Sequence, residues 1–242
     1  MSLLLTNISL SLSGTKLVDD VSIEVCSGEV VGLLGPNGAG KTTTFNILIG
    51  QLTPDYGDVV LDDKFVTNLP MPERSRMGIG YLPQEPSIFR NLNVIENLEI
   101  ALSQSIPNNS HRRIRREQLI ADFSLGAFLD RKGFQLSGGE RRRLEVARAL
   151  ASGRIGPRYL LLDEPFAGVD PLAVDDLQGL IDNLRNLGMG ILITDHNVRE
   201  TLAITNRSYI LSDGKILASG TSKEVANNKL VKRYYLGDKF QL

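Results

Sequence analysis

The spacing of hydrophobic and polar positions changes along the chain, and each change marks an element. Up to residue 34 the period is two. Val21-Ser22-Ile23-Glu24-Val25 alternates like a half-buried strand, and Glu29-Val30-Val31-Gly32-Leu33-Leu34 reads as a strand buried on both faces. A glycine-rich turn follows, then a helical run over 41–49. Residues 57–84 return to short strands and turns. From 90 to 152 the pattern is helical, with helices expected over 91–103, 112–123 and 137–151, separated by Pro107-Asn108-Asn109 and Lys132-Gly133. Strand and helix then alternate: a strand at 159–162, a helix over 171–186, a strand at 190–194 and a helix over 196–204. Ala173, Leu177, Leu180, Ile181 and Leu184 share one face of the first of these helices. A hairpin of 209–212 with 216–219 closes the series across Asp213-Gly214. Such alternation predicts an α/β fold with a mostly parallel sheet covered on both faces and antiparallel β segments at its N-terminus. The expected organisation is one domain, 1–242, with an α/β core of 1–89 and 153–242 and a helical subdomain over 90–152 inserted into it.

Composition narrows this picture. The 242 residues are 42% apolar and 23% charged, as in ordinary globular chains. Lys and Arg total 27 against 28 Asp and Glu, a net charge of −1, which argues against holding nucleic acid by overall basicity. The longest apolar stretch, around 30–34, is far below the roughly 20 residues needed to cross a bilayer, so direct membrane insertion is not expected. Met1-Ser2-Leu3-Leu4-Leu5 has no basic n-region, which speaks against a secretion signal. A single cysteine, Cys26, excludes an internal disulfide and a multi-cysteine zinc site. A soluble, intracellular protein is expected.

Gly35-Pro36-Asn37-Gly38-Ala39-Gly40-Lys41-Thr42 fits the G-x-x-x-x-G-K-[ST] pattern in full, after a predicted strand and before a predicted helix. Glycines let the loop wind so that backbone N–H groups converge on phosphate oxygens, and the following helix adds its positive end. Lys41 is then expected to reach the β- and γ-phosphates of ATP, and the Thr42 hydroxyl, with Thr43 beside it, to ligate Mg²⁺. The core is accordingly that of a P-loop NTPase. Tyr159-Leu160-Leu161-Leu162-Asp163-Glu164 is an apolar strand ending in two acids. Alone they could be solvated turn residues. Paired with the phosphate loop, Asp163 is expected to order Mg²⁺ and Glu164 to activate the attacking water. Between these motifs, Leu136-Ser137-Gly138-Gly139-Glu140 carries a capping box, Ser137-x-x-Glu140, at a helix start that could also take an anion.

These three motifs in this order resemble the ATP-binding subunits of ABC transporters, over essentially the whole chain. The resemblance implies roles for further residues. Gln84 matches a glutamine that senses Mg²⁺ and links to the membrane partner, and His196 a switch histidine on the γ-phosphate. Ala167-Gly168-Val169-Asp170 matches the loop that crosses the dimer interface. It implies a head-to-tail homodimer in which Ser137, Gly138, Gly139 and Glu140 of one copy close over the ATP held by the other. It also implies separate integral membrane subunits, received in a groove lined by 69–90, and a peripheral position on the cytoplasmic face of the inner membrane. Phe89 and Arg90 would contact those subunits, unless Phe89 belongs to the subdomain core. Within the family, residues 35–44, 84–90, 137–143, 166–171 and 194–201 and the tail Tyr235-Leu236-Gly237 are similar to the ATPases of lipopolysaccharide export. ATPases of branched-chain amino-acid importers are the alternative. A soluble ABC clamp fits less well with 242 residues and one phosphate loop. One departure is that Leu12 stands where many relatives carry an aromatic residue on adenine, which predicts weak discrimination between ATP and GTP.

Three basic clusters read as surface. Arg113 and Glu117 are i,i+4 neighbours on a solvated face, Arg141-Arg142-Arg143 is subdomain surface and interface, and Lys232-Arg233 opens a short amphipathic C-terminal helix. That helix could pack on the domain or on a second subunit.

Overall fold

The computed structural model describes residues 1–152, 156–238, 240 and 242. In chain order, β1 (Ser2–Leu12), β2 (Thr15–Cys26) and β3 (Val30–Leu34) lead into α1 (Lys41–Ile49), β4 (Tyr56–Leu61), β5 (Lys64–Phe65), α2 (Met71–Arg76) and β6 (Ile79–Leu82). Three helices follow: α3 (Val94–Ser105), α4 (Asn109–Asp122) and α5 (Gly138–Ala149). Then come β7 (Tyr159–Asp163), α6 (Pro171–Asn186), β8 (Gly190–Thr194), α7 (Val198–Ile204), β9 (Arg207–Ser212), β10 (Lys215–Thr221) and α8 (Ser222–Asn227).

The strands form two sheets. The smaller is antiparallel, in the order β2-β1-β4-β5, and the larger runs β10-β9-β3-β8-β7-β6. Every neighbour in the larger sheet is parallel except the β9–β10 hairpin, whose Asp213 and Gly214 both have positive φ, as a tight type I′ turn requires. Its central strands β3, β8 and β7 are buried at every position because both faces are covered, and only Thr194 and Asp163 at their carboxyl ends are polar. Val30, Leu160, Leu162, Ile191 and Ile193 pack into a core shared with α3, α4, α5 and α6. Val31, Leu33, Leu161 and Leu192 point the other way, into a core shared with α1 and the small sheet. Burying each such side chain is worth about 1.5–3 kcal/mol. Clamped from both sides, the sheet offers a rigid platform at the carboxyl ends of β3, β8, β7 and β6.

Several boundaries differ from the sequence expectation for local reasons. The helix expected over 91–103, α3, begins at Val94, because Asn93 and Glu96 form a capping box with both hydrogen bonds at 2.8 Å. Residues 108 and 109, read as linker, cap and open α4: Asn108 Oδ1 accepts from the His111 N–H. Helix α2 lies in a stretch read as strands and turns, and its Arg74 is fully buried. That guanidinium donates to the carbonyls of Ile47, Leu48, Thr67 and Leu69, so it caps the C-terminal end of α1. Burial lowers Arg74 to about 10.

The basic clusters divide. Arg113 pairs with Glu117 at 3.5 Å on an exposed face, and Arg112 and Arg116 pair with Glu99, as a solvated helix does. Arg142 does not belong on the surface: it is buried, for reasons given below. The C-terminal segment is a wide helical turn, Lys232–Leu236, rather than an α-helix. Tyr235 and Leu236 pack on this chain's own Leu34, Leu202 and Ile210.

Candidate active site

Four neighbouring strands deliver their following segments to one place, where ligands of open α/β sheets bind. β3 leads to the phosphate loop, β8 to Asp195 and His196, β7 to Asp163 and Glu164, and β6 to Pro83 and Gln84. Asn37, Gly38, Ala39, Gly40, Lys41, Thr42, Thr43, Gln84, Asp163, Glu164 and His196 line an open cavity of about 450 Å³, with Leu17 as its apolar wall. Most of the site expected from sequence is therefore together. Gly35 and Pro36 stand behind it, contributing carbonyls to Lys41.

The loop's path depends on two glycines. A Cβ at Gly35 (φ +151°) would sit 2.0 Å from the Leu211 carbonyl oxygen, and one at Gly40 (φ +102°) 2.6 Å from that of Leu17. Any other residue would push the loop off β9–β10 or off β2. Gly40 has no side chain to cap α1, and no acid occupies the helix's first turn, so its positive end is open to an anion. Lys41 folds back over the loop and donates to Gly35 O at 2.8 Å and Pro36 O at 3.0 Å. Burial lowers its pKa, against the opposing pull of Glu164 and Asp163.

Across the cavity, Glu164 is buried and has φ +49°, a conformation that strains a side-chain-bearing residue by about 1–3 kcal/mol. Both its carboxylate oxygens are engaged: Gln84 Nε2 donates to Oε2 at 2.8 Å, and His196 Nε2 lies 2.7 Å from Oε1. Gln84 and His196, which sequence treats separately, thus hold one carboxylate between them. The His196 contact places a proton on Nε2. Asp163 is pushed up to about 6 by burial and the Glu164 charge, against Lys41. Burial and Asp163 push the Tyr81 hydroxyl up to about 12.

Two functional neighbours escaped the sequence reading. Asp195 is buried, with its pKa raised by burial, and accepts from the N–H groups of Asn197 and Phe166, both at 2.8 Å. It ties the start of α7 to the chain just after Glu164. The Asp-x-Asn spacing at 195–197 was its signal. Arg142 donates to the backbone of Asp163, Glu164 and Pro165, and only its position two residues after Glu140 on a helix could have hinted that it turns inward.

Other expected residues lie elsewhere. Leu12 is at the exposed end of β1, paired with Thr15, and is not among the cavity's lining residues. Ser137, Gly138, Gly139 and Glu140 also lie outside the cavity. They form the capped start of α5: Ser137 Oγ accepts from Glu140 N–H at 3.2 Å, and Glu140 Oε2 accepts from Ser137 N–H at 2.9 Å. Gly139 abuts Ala173, next to Asp170, whose side chain caps α6. Phe89 is 44% exposed, with Arg148 stacked over its ring at 4.9 Å and Arg90 exposed beside it, so Phe89 is not core.

Residues 18–167 match the ABC transporter family model. The chain is 54% identical, over 93% of its length and 92% of the relative's, to the lipopolysaccharide export system ATP-binding protein LptB of Acidithiobacillus ferridurans. Among solved structures it resembles MJ1267, an ATP-binding cassette of an ABC transporter in its ADP conformation. The TM-score there is 0.87 at 30% identity, covering 98% of this chain and all of that one. It also resembles the dimeric structure of MJ0796, a bacterial ABC transporter cassette, with TM-score 0.79 at 25% identity, covering 91% of this chain and 98% of the other. The phosphate loop, the paired acids after β7 and the capped glycines of α5 thus sit in a matching fold along nearly the full chain, and the chain belongs to the ABC transporter family of ATP-binding cassettes.

Proposed function

We propose that this chain is the ATP-hydrolysing subunit of a transporter that exports lipopolysaccharide. The observation that carries the hydrolytic reading is Glu164, held by Gln84 and His196 on the rim of a cavity whose opposite wall is Lys41. The cargo follows from the 54% identical relative named for lipopolysaccharide export, which favours export over amino-acid import.

ATP enters with its phosphates against the loop. The Lys41 ammonium leaves the carbonyls of Gly35 and Pro36 for the β- and γ-phosphates, while the free N–H groups at the start of α1 receive phosphate oxygens. A water between Glu164 and the γ-phosphate gives its proton to the carboxylate as its oxygen bonds the γ-phosphorus and the bond to the β–γ bridging oxygen breaks to release ADP, and Gln84 keeps that carboxylate aimed. The Nε2–H of His196, at the cavity mouth, turns to a γ-phosphate oxygen as charge builds there.

The residues fit Mg²⁺. Thr42 offers a hydroxyl, Gln84 an amide oxygen and Asp163 a carboxylate. Among the described residues no cluster of three His, Cys, Asp or Glu forms a full protein cage. A sparse set of hard oxygens suits a cation that keeps its water and phosphate ligands. Asp163, raised to about 6, is the acid whose charge a cation would offset. When bound, Mg²⁺ would offset the negative charge of the phosphates.

The α5 start lies outside the cavity, so a second copy is needed to bring Ser137, Gly138 and Gly139 to the same nucleotide, with the Asp170 loop between copies. The dimeric relative supports that arrangement. Among the described residues no helix is long and apolar enough to cross a membrane, so a transporter of this kind needs separate integral subunits; the export reading puts this chain peripherally on the cytoplasmic side of the inner membrane. A cleft of about 410 Å³ between α2, β6, α3 and α5, lined in part by Met71, Tyr81, Gln104 and Arg148, is the proposed receptor for those subunits, with Phe89 stacked under its Arg148 and Arg90 next in the chain. Purifying the chain from native membranes tests this reading. Integral subunits of a lipopolysaccharide exporter should accompany it, and recovery of permeases that work with a soluble binding protein would overturn it.

A further inference from the structure

We infer that Arg142 is the positioning residue for Glu164: its guanidinium fixes the left-handed turn that aims the Glu164 carboxylate into the phosphate cavity, and Glu145 in turn fixes Arg142. The inference rests on the reading of Glu164 as the base for hydrolysis.

In an extended strand, successive carbonyls point to opposite sides. At the end of β7 they do not. Arg142 Nε donates to Pro165 O at 2.9 Å, and Nη2 to Glu164 O at 2.7 Å and Asp163 O at 3.3 Å. Three consecutive carbonyls can converge on one planar guanidinium only where the chain turns sharply between them, and that turn is Glu164 at φ +49°. The rigid fork of Arg142 therefore matches the strained backbone and not a relaxed one. From the other side, Glu164 N–H donates to Thr194 O at 2.8 Å, so the peptide is held at both ends.

The clamp extends to Gln84. Arg142 Nη1 reaches Pro83 O at 3.4 Å and donates to Glu145 Oε2 at 2.9 Å, while Glu145 Oε1 accepts from Ser87 N–H at 3.2 Å. Both sides of the Gln84–Glu164 hydrogen bond are thus anchored to one buried pair on α5. Arg142 does not line the nucleotide cavity, so it acts through Glu164.

The test is single-turnover ATP hydrolysis by the full chain, normalised to bound nucleotide, in Arg142→Lys, Glu145→Gln and each combined with Glu164→Gln. A lysine keeps the charge and loses the fork. Misaiming by a fraction of an ångström to one ångström should slow hydrolysis by roughly 10- to 100-fold while nucleotide affinity changes by about twofold or less. Glu145→Gln, which keeps the side-chain volume, should fall between Arg142→Lys and wild type, and it carries the test if Arg142→Lys does not fold. In the Glu164→Gln background either change should cost almost nothing further, because the group it positions is gone. A purely structural pair would instead lower the residual rate by the same factor with or without Glu164. That result, or wild-type turnover in Arg142→Lys, overturns the inference. Near-normal turnover in Glu164→Gln alone overturns the base assignment beneath it.

Discussion

Helices α1 and α5 both have a glycine at their start, Gly40 as the cap of α1 and Gly138 as the first residue of α5, and both stand at nucleotide-recognition motifs, yet their N-terminal ends are finished in opposite ways. At α1 the cap is Gly40, which offers no side chain, and no acid lies in the first turn. At α5 two of the N-terminal donors are already used: Ser137 and Glu140 satisfy each other's backbone, and Arg131 steadies Glu140 at 3.3 Å. One end is an open positive site with a lysine folded over it, and the other is half-satisfied by its own capping box and carries an acid. The open end can hold a phosphate within a single chain. The closed end gains only when a nucleotide is already fixed on a facing copy, which suits a gate better than a primary site.

The largest expected effect sharpens this division by removing the chemistry and leaving both ends intact. Glu164→Gln should lower turnover by about 10²–10⁴-fold while ATP still binds, and should accumulate an ATP-bound dimer in gel filtration. Next comes the open end itself. Lys41→Ala removes charged hydrogen bonds worth about 1.5–3 kcal/mol, so ATP affinity measured by titration should fall by roughly 10- to 100-fold, with turnover falling further. Near-wild-type binding in that variant would break the comparison, because the α1 end would not then depend on its lysine.

Much of the open end could be read from the chain, because its geometry is local. A tight loop between a buried strand and a helix needs its glycines and its lysine in sequence, and residues 35–42 supply them in a row. The same holds for the strand ends at Asp163 and His196 and for α6 and β8, whose limits the apolar pattern marked to the residue. What stayed hidden depends on contacts between distant segments. Arg142 looked like one of three surface arginines, and its inward turn is set by carbonyls 21 to 23 residues away. Arg74 is likewise placed by the end of α1, 26 and 27 residues earlier. Leu12 matches the family's aromatic position by resemblance alone, and the β1–β2 hairpin carries it to the exposed end while Leu17 lines the cavity.

The closed end should respond more gently, and first through stability. Ser137→Ala deletes the acceptor for Glu140 N–H and should cost about 1 kcal/mol of unfolding free energy, read by denaturant titration. ATP affinity of the isolated chain should hold, since Ser137 lies outside the cavity. A matching loss of monomer affinity would mean that the two ends are not separate.

The smallest effect is the most discriminating, because its two consequences have opposite signs. Glu140→Gln keeps the reciprocal hydrogen bonds of the capping box, since an amide oxygen still accepts from Ser137 N–H. It removes one negative charge from the first turn of α5, which should cost about 0.3–1 kcal/mol of helix stabilisation at low ionic strength. That same charge repels any phosphate brought to this end by a second copy. The variant should therefore unfold slightly more easily and yet dimerise slightly more tightly with ATP, by roughly two- to fivefold, an advantage that fades with added salt as exposed charges are screened. A Glu140→Gln chain that dimerises less tightly at low salt would show that the acid assists closure, and that the end of α5 is a binding site in its own right.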